Sequence, residues 1–463
     1  MSPSSSDPRP FAVLVGVQLP GVSDTEHAAD LAELGRLVHT LGYEVVATVT
    51  QRREGVAAGT VLGTGKLKEL AQLTGGRGFV PSGAQVRKSK ARERWESEEE
   101  DAVPQDEGSV AEPEAEVDAT QPVARPTVVV VDHELSPSQL SNLERATGAQ
   151  VLDRTGVIVD IFHRHARSRE ARMQVEIARL NYLAPRMRES TGSRERQQGR
   201  GSGDSALELD RRKIRDRLAE LREGLAVIQQ DQAQRRYARR DQLRVALVGY
   251  TNAGKSSLMR ALTGSEVLVA DQLFATLDTT VRALQPETRP RVLVSDTVGF
   301  IQKLPHDLVA SFRSTLDEAL EASLLLYVVD ASDPTWETQL EVSRGVLREI
   351  GAQGVPSRLL FNKADRLSAE QREALLQRHP EARVLSAHSP DDVAALRQSV
   401  VEFFERSMVE AELVIPYARQ GRINEVYENA RVLSEAFDEN GRRLMIRALP
   451  AAIARLTHAF GNA

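Results

Sequence analysis

The chain contains no cysteine, which excludes disulfides, thiolate metal sites and a cysteine nucleophile. Such a chain suits a reducing cytosol. Long apolar runs are missing too. The longest, such as Leu324–Val329, have the length of a strand, far short of the ~20 residues a membrane-spanning helix needs. The opening MSPSSSDPRP has no basic patch followed by an apolar core, so no signal peptide is expected. These absences lead to the expectation of a cytoplasmic protein without a membrane span. Positive charge is not in excess either: the formal net charge is -6, and the total gives no pointer to nucleic acid. No internal repeat is visible. What the 463 residues do hold is a mixture 41% hydrophobic and 27% charged, the balance of a globular protein with much polar surface. That length exceeds one ordinary core, so two to four domains are expected.

Apolar runs alternate with amphipathic stretches over residues 11–155, implying an α/β domain behind a disordered terminus at 1–10. FAVLVGV and YEVVATVT read as strands around a helix near Ala28–Leu41, and the valines of PTVVVVDHE as a buried parallel strand. Ser136–Thr147 reads as a helix with a Ser–Pro start. Inside this domain, residues 87–122 begin basic and continue rich in Glu, Asp, Pro and Ala. So little apolar surface cannot offset chain entropy, and a disordered acidic insertion is expected.

Residues 156–240 turn helical and arginine-rich. Leu207, Ile214, Leu218, Leu221, Leu225 and Ile228 form an apolar seam along one helix, and Val175, Ala178 and Tyr182 a stripe on another. A loop of Gly and Arg at 192–204 separates them, so the expectation is an antiparallel hairpin with a basic tip. Residues 241–408 alternate strands and helices in the rhythm of a covered parallel sheet. Residues 409–463 suggest a small α+β domain: a strand at Glu412–Pro416, a helix at Ile423–Leu433 and a strand at Arg443–Ala448.

The sharpest signal is Gly249-Tyr250-Thr251-Asn252-Ala253-Gly254-Lys255-Ser256, directly after the apolar run Val245–Val248. It matches G-x-x-x-x-G-K-[ST] in the strand–loop–helix context that confirms the motif. The two outer glycines let main-chain N–H groups turn toward phosphate oxygens, and the helix start favours anions. Lys255 would reach the β- and γ-phosphates, and the Ser256 hydroxyl would ligate Mg²⁺. A second motif, Asn362-Lys363-Ala364-Asp365, follows the strand SRLLF. Asp365 can accept two N–H bonds from the guanine edge, which adenine does not offer. Asn362 would brace the loop, and the Lys363 stem would cover the base. A third, Asp296-Thr297-Val298-Gly299, ends a strand; Asp296 would hold Mg²⁺ through water and Gly299 would meet the γ-phosphate. Ser386-Ala387-His388 matches a weak guanine-contacting motif, in which His388 reads as incidental. A switch threonine is expected among Thr276, Thr279 and Thr280. One residue is conspicuous: GTPases that position their attacking water with glutamine carry it directly after the Asp-x-x-Gly glycine. Here that place holds Phe300, which can neither orient water nor move a proton. No catalytic residue is assigned, and slow intrinsic hydrolysis awaiting a macromolecular partner is expected.

GYTNAGKSSL, ADQLFATLDTTVR, DTVGFIQKLPHDLVASF and FNKAD, with LELDRRKIRDRL before them, resemble the HflX family of GTPases in the Obg–HflX group. The likeness extends to VLGTGKLKEL, VVVVDHELSPSQLSNLE and DRTGVIVDIFHRHARSREARMQVEIARLNYLAPRM, and so spans nearly all of Val13–Leu456. It implies an α/β N-terminal domain, a helical hairpin, a Ras-like P-loop G domain and a small C-terminal domain. It further implies a Mg²⁺-dependent GTPase that binds the large ribosomal subunit, remodels or splits stalled or stress-damaged ribosomes, and is stimulated by them. Thr276 becomes a second Mg²⁺ ligand beside Ser256. Phe274, Ala275, Thr276, Leu277 and Asp278 become phosphate-side contacts. The hairpin loop, with Arg194, Arg196 and Arg200, becomes a candidate rRNA contact. The bland reading of those arginines, a solvated face of Arg–Glu pairs, weighs about evenly on composition alone. Localisation would be ribosome-associated and cytoplasmic, with a monomer when free. Three departures stand out: GSGD in the Gly-rich loop where the family commonly has G-x-G-E, Thr279 where many members carry proline, and the acidic insertion. Alternatives in other classes are a small-molecule kinase, which NKAD and the switch-like DTVGF oppose, a regulatory GTPase acting through a protein partner, and a ribosome-assembly GTPase.

Overall fold

A computed structural model describes residues 9–56, 59–80, 125–190, 206–238, 242–264, 273–274, 280–303 and 318–461. The acidic insertion at 87–122, the hairpin loop at 192–204 and residues 275–279 lie outside the described residues. The described chain forms two compact units, one of residues 1–38 and 42–154, the other of residues 39–41 and 155–463.

In the first unit, β1 (Phe11–Gln18), β2 (Glu44–Arg52), β3 (Val128–Val131) and β4 (Gln150–Asp153) form a fully parallel sheet in the order β2-β1-β3-β4. The four valines of β3 are buried on both faces, as a central parallel strand requires. Three helices flank these strands: α1 (Asp24–Thr40), α2 (Thr64–Thr74) and α3 (Pro137–Thr147). The expected Ser–Pro start of α3 is a complete capping box: Gln139 N–H donates to the Ser136 hydroxyl, and Ser136 N–H donates back to the Gln139 side chain. At the ends of the strands the Arg154 guanidinium is buried between the carboxylates of Glu33 and Asp132. Three desolvated charges hold together here only because each is paired.

α4 (Arg154–His165) lies in the second unit from Thr155 on, followed by α5 (Arg169–Ser190) and α6 (Ala206–Ala238). The seam behaves as its spacing predicts: Leu221 is buried, with Ile214, Leu218, Leu225 and Ile228 partly so, while Val175 and Ala178 are buried on α5. A Cβ on Gly224 would stand 2.9 Å from Met173, so the two helices approach closely there. Part of the basic surface is internally matched, as Arg217 of α6 binds Glu176 of α5 and Glu220.

The sheet that carries the nucleotide motifs contains β5 (Leu243–Val248), β6 (Thr280–Ala283), β7 (Val292–Asp296), β8 (Leu324–Asp330), β9 (Ser357–Asn362) and β10 (Arg383–Val384), ordered β10-β9-β8-β5-β7-β6. All neighbours pair in parallel except β6, which joins β7 antiparallel and includes the switch candidate Thr280. α7 (Lys255–Thr263), α8 (Trp336–Glu349), α9 (Ala369–Arg378) and α10 (Pro390–Glu405) alternate with these strands. Every residue of β5 is buried, placing it at the centre of the core with Leu258, Met259, Leu326 and Val400.

The C-terminal region differs from its sequence reading. The strand β11 (Val409–Ile415) is there, but α11 (Ile423–Asn429) ends four residues before the expected Leu433. The chain instead enters β12 (Arg431–Asp438), turns, and returns as β13 (Gly441–Ala448), giving an antiparallel sheet in the order β11-β13-β12. α12 (Pro450–Gly461) covers one face with Leu456 and Phe460. β12 is mostly exposed, so it lacks the apolar alternation that marks a strand. The Asn440-Gly441 pair at its end is the hairpin signal that reveals it.

Candidate GTP-binding site

The four motifs meet at the C-terminal edge of the six-stranded sheet, where open parallel sheets hold ligands. The loop after β5 leads into α7, Asp296 ends β7, Asn362 ends β9, and Ser386 lies just beyond β10. The loop backbone needs left-handed conformations at Asn252 (φ 60°) and Gly254 (φ 93°). Gly254 is also required by space: a Cβ there would stand 2.2 Å from the Asn362 amide nitrogen. The first turn of α7 then presents its N–H groups and positive end toward the loop.

Lys255 is buried at the base of that loop. Its ammonium donates to the carbonyls of Gly249 at 3.1 Å and Tyr250 at 2.7 Å. Burial pushes its pKa down to about 8, against the opposing pull of the Asp296 carboxylate. Ser256 donates to Asp296 Oδ2 at 2.7 Å, so a hydroxyl and a carboxylate, both hard oxygen donors of the kind Mg²⁺ prefers, stand side by side. Thr297 is fully buried and donates to the Leu247 carbonyl at 2.8 Å, fixing the start of the DTVG turn. Gly299 lies so close to the loop that a Cβ would stand 2.8 Å from Thr251 and 3.0 Å from Lys255 Nζ. This cradle admits only a bare main chain beside the lysine. The donor set and the cradle both suit a triphosphate with its metal. Ser256 and Asp296 would hold the ion, which would shield phosphate charge when bound.

Beyond Gly299 the chain is tied to the loop. Thr251 N–H donates to the Phe300 carbonyl at 2.8 Å, and Phe300 N–H donates to the Gly249 carbonyl at 3.1 Å. Gln302 N–H donates to the Tyr250 hydroxyl at 2.7 Å. Phe300 and Ile301 are buried, leaving no polar side chain at the water-positioning place. Val298 is buried as well.

The base-reading loops form a second network. Asn362 donates to the Ala253 carbonyl at 2.9 Å and accepts from Ala387 N–H at 3.0 Å, so one amide braces both the phosphate loop and the Ser386 loop. Ser386 donates to Asp365 Oδ1 at 2.6 Å and its N–H donates to Asp392 Oδ2 at 2.8 Å, while His388 N–H donates to the Ser386 hydroxyl. The Ser386 bond holds the Asp365 carboxyl below the usual carboxylate range, so it is ionised and ready to accept at neutral pH. Ala364 is buried beneath the loop. Lys363 sits in a left-handed conformation and its ammonium pairs with Asp330 Oδ2 at 2.7 Å, which steadies the stem expected to cover the base. Asp330 and Asp392 escaped the sequence reading. Asp330, like Asp296, ends an apolar strand, and that position was the available signal.

Residues Ala275, Thr276, Leu277, Asp278 and Thr279 lie outside the described residues, as do Arg194, Arg196 and Arg200. Phe274 is described, and its buried ring packs edge-on against Phe162 of α4 at 4.5 Å between centroids.

Three family models match the chain: a GTP-binding GTPase N-terminal region at 28–79 and 97–163, a GTP-binding GTPase middle region at 165–239, and a 50S ribosome-binding GTPase at 244–363. The GTPase HflX of Gluconacetobacter diazotrophicus is 69% identical over 97% of this chain and 97% of its own. The chain belongs to the HflX family of GTPases. The GTPase HflX of Alkalihalophilus pseudofirmus is 35% identical over 94% of this chain and 92% of its own. A GTP-binding protein from the archaeon Sulfolobus solfataricus, solved in complex with GDP, is 21% identical over 85% of this chain and 98% of that one, with a TM-score of 0.42. As an HflX-family enzyme this chain hydrolyses GTP to GDP and phosphate. None of its described helices is long and apolar enough to cross a membrane.

The buried lysine gives this HflX-family site a pH signature. A folded-state pKa of about 8 lies below the ordinary lysine value of 10.5, so the ammonium is disfavoured in the free protein and an incoming phosphate restores it. Below about pH 7 the group is protonated before and after binding. Above about 8, GDP binding takes up a proton, and affinity falls by up to about tenfold per pH unit until the lysine of the complex itself titrates. Calorimetry near pH 8.5 in two buffers of different ionisation heat is expected to give different apparent enthalpies. Lys255→Arg, which stays protonated, is expected to remove the difference. Buffer-independent heats for the wild type would contradict this account.

Proposed function

We propose that this GTPase binds the large ribosomal subunit and remodels or splits stalled or stress-damaged ribosomes, with hydrolysis stimulated by that subunit. The observation that carries the reading is Phe300, buried and hydrogen-bonded into the phosphate loop where a water-orienting side chain would otherwise stand. A site so built needs order or charge supplied from outside. The 50S ribosome-binding description of the family model over 244–363 supports a ribosomal source. In this reading Gly249–Ser256 cradle the phosphates, Asp365 with Ser386–His388 reads guanine, and Ser256, Thr276 and, through water, Asp296 hold Mg²⁺. Residues 274–278 and 296–299 act on the phosphate side. Arg194, Arg196 and Arg200 on the loop between α5 and α6 meet rRNA. The chain works as an N-terminal domain to residue 155, a hairpin to 240, a G domain to 408 and a C-terminal domain, cytoplasmic and monomeric when free.

Pelleting and turnover assays with isolated large subunits test this together. The protein loaded with a non-hydrolysable GTP analogue is expected to sediment with the subunit, less so as salt rises. Turnover is expected to increase on the order of 10²-fold or more. A protein that stays off the subunit, with turnover unchanged by it, would remove the ribosomal reading and leave a GTPase acting through another partner.

A further inference from the structure

A cavity of about 680 Å³ opens at the far end of the sheet from the nucleotide motifs, between α8, the starts of β8 and β9 and the chain after α9. Its size is in the range of small-molecule sites. β9 runs from this cavity at Ser357 to the guanine loop at Asn362, beside β8, which runs from Leu324 to Asp330. Six residues of strand separate the two places by about 17 Å. This is not an extension of the GTP site.

Its charge is unusual for the chain. Arg344, Arg348, Arg358 and Arg378 line it against the single carboxylate of Glu381, in a protein whose formal net charge is -6. Arg344 and Arg348 are four residues apart on α8 and so share a face. Arg358 comes from β9 and Arg378 from the end of α9. Arg344 and Arg378 make ion pairs with Glu341 and Glu337, exposed contacts that an incoming anion displaces at little cost. Arg348 and Arg358 make no ion pair among the described residues. The half-buried Tyr327 also lines it; burial pushes its hydroxyl up while the charges of Arg344 and Arg348 pull it down. Leu359 and Phe403 give the cavity an apolar wall.

Planar donor forks around an aromatic and apolar wall match a phosphate carried on a flat organic group. We propose that this cavity binds a nucleotide-sized organic phosphate, with Arg344, Arg348 and Arg358 on the phosphate and Leu359 and Phe403 against the base. The phosphate comes either from a free nucleotide or from the 5′ end of an RNA, since both present the same chemistry.

The test uses the full-length protein with its guanine site saturated by GDP and Mg²⁺. Uridine diphosphate is the first probe, because uracil does not offer the donor edge that Asp365 reads. A short oligouridylate with or without a 5′-phosphate is the second. Saturable binding of uridine diphosphate, with uridine at least about tenfold weaker, assigns a free nucleotide. Saturable binding of only the 5′-phosphorylated oligonucleotide assigns an RNA end. In either case the double variant Arg348→Ser/Arg358→Ser is expected to lose at least about tenfold in affinity, while Arg372→Ser, exposed on α9 outside the cavity, binds as the wild type. Unchanged GDP affinity in the double variant verifies its fold. No saturable binding of either probe, or equal binding by wild type and double variant, overturns the proposal.

Discussion

Lys255→Ala is expected to lower GTP affinity on the order of 10³-fold, and GDP affinity by less, while leaving the folded protein at least as stable as before. The affinity loss follows from charge-assisted bonds to two phosphates, each contributing about 1.5–3 kcal/mol. The stability result follows from the depressed pKa. A shift from 10.5 to about 8 means that the ammonium costs the fold about 3 kcal/mol at neutral pH. Relief of that cost offsets the cavity left by three methylenes and the ammonium, which is of similar size. Thermal unfolding without nucleotide therefore separates loss of binding from loss of fold. A variant that melts far below the wild type, or one that still binds nucleotide tightly, would contradict the role given to this side chain.

Asp365→Asn is expected to weaken GTP by roughly 10²–10⁴-fold and to make xanthosine triphosphate the preferred nucleotide. The ionised carboxylate would accept two guanine N–H groups, and an amide can accept only one of them. Xanthine replaces the 2-amino donor by a carbonyl, which the amide nitrogen of the substituted side chain can serve. The swap is local because Asp365 is already oriented by the 2.6 Å bond from Ser386, and an asparagine carbonyl accepts from that hydroxyl too. Competition binding with both nucleotides reads the outcome. An unchanged GTP preference would end the assignment of guanine reading to Asp365.

The phosphate and guanine motifs were legible because each is a short contiguous run whose chemistry depends on neighbours in sequence. The glycines at 249 and 254 are forced by backbone shape, and strand-end placement follows from the apolar run before each motif. What was not legible depends on contacts between distant segments. Asp330 acts through Lys363, 33 residues away in sequence, and Asp392 through the Ser386 main chain. The buried charges around Arg154 join residues 22 and 121 positions apart, and no local pattern announces them. The packing of the Phe274 ring against Phe162 likewise joins segments far apart in sequence. β12 went unseen for the opposite reason: its identity rests on pairing with β13, and its exposed side chains carry no periodic mark.

The bonds that join Gly249–Thr251 to Phe300–Gln302 also fix where this enzyme can bend. Three hydrogen bonds pin the stretch immediately after the DTVG glycine to the rigid phosphate loop, which is itself welded to the central strand. A rearrangement that keeps them intact leaves Phe300–Gln302 on the phosphate loop and begins no earlier than Lys303, the first residue past the clamp. Phe300 then stays fixed to the loop, and any response to nucleotide that keeps these bonds starts downstream of the glycine expected to meet the γ-phosphate.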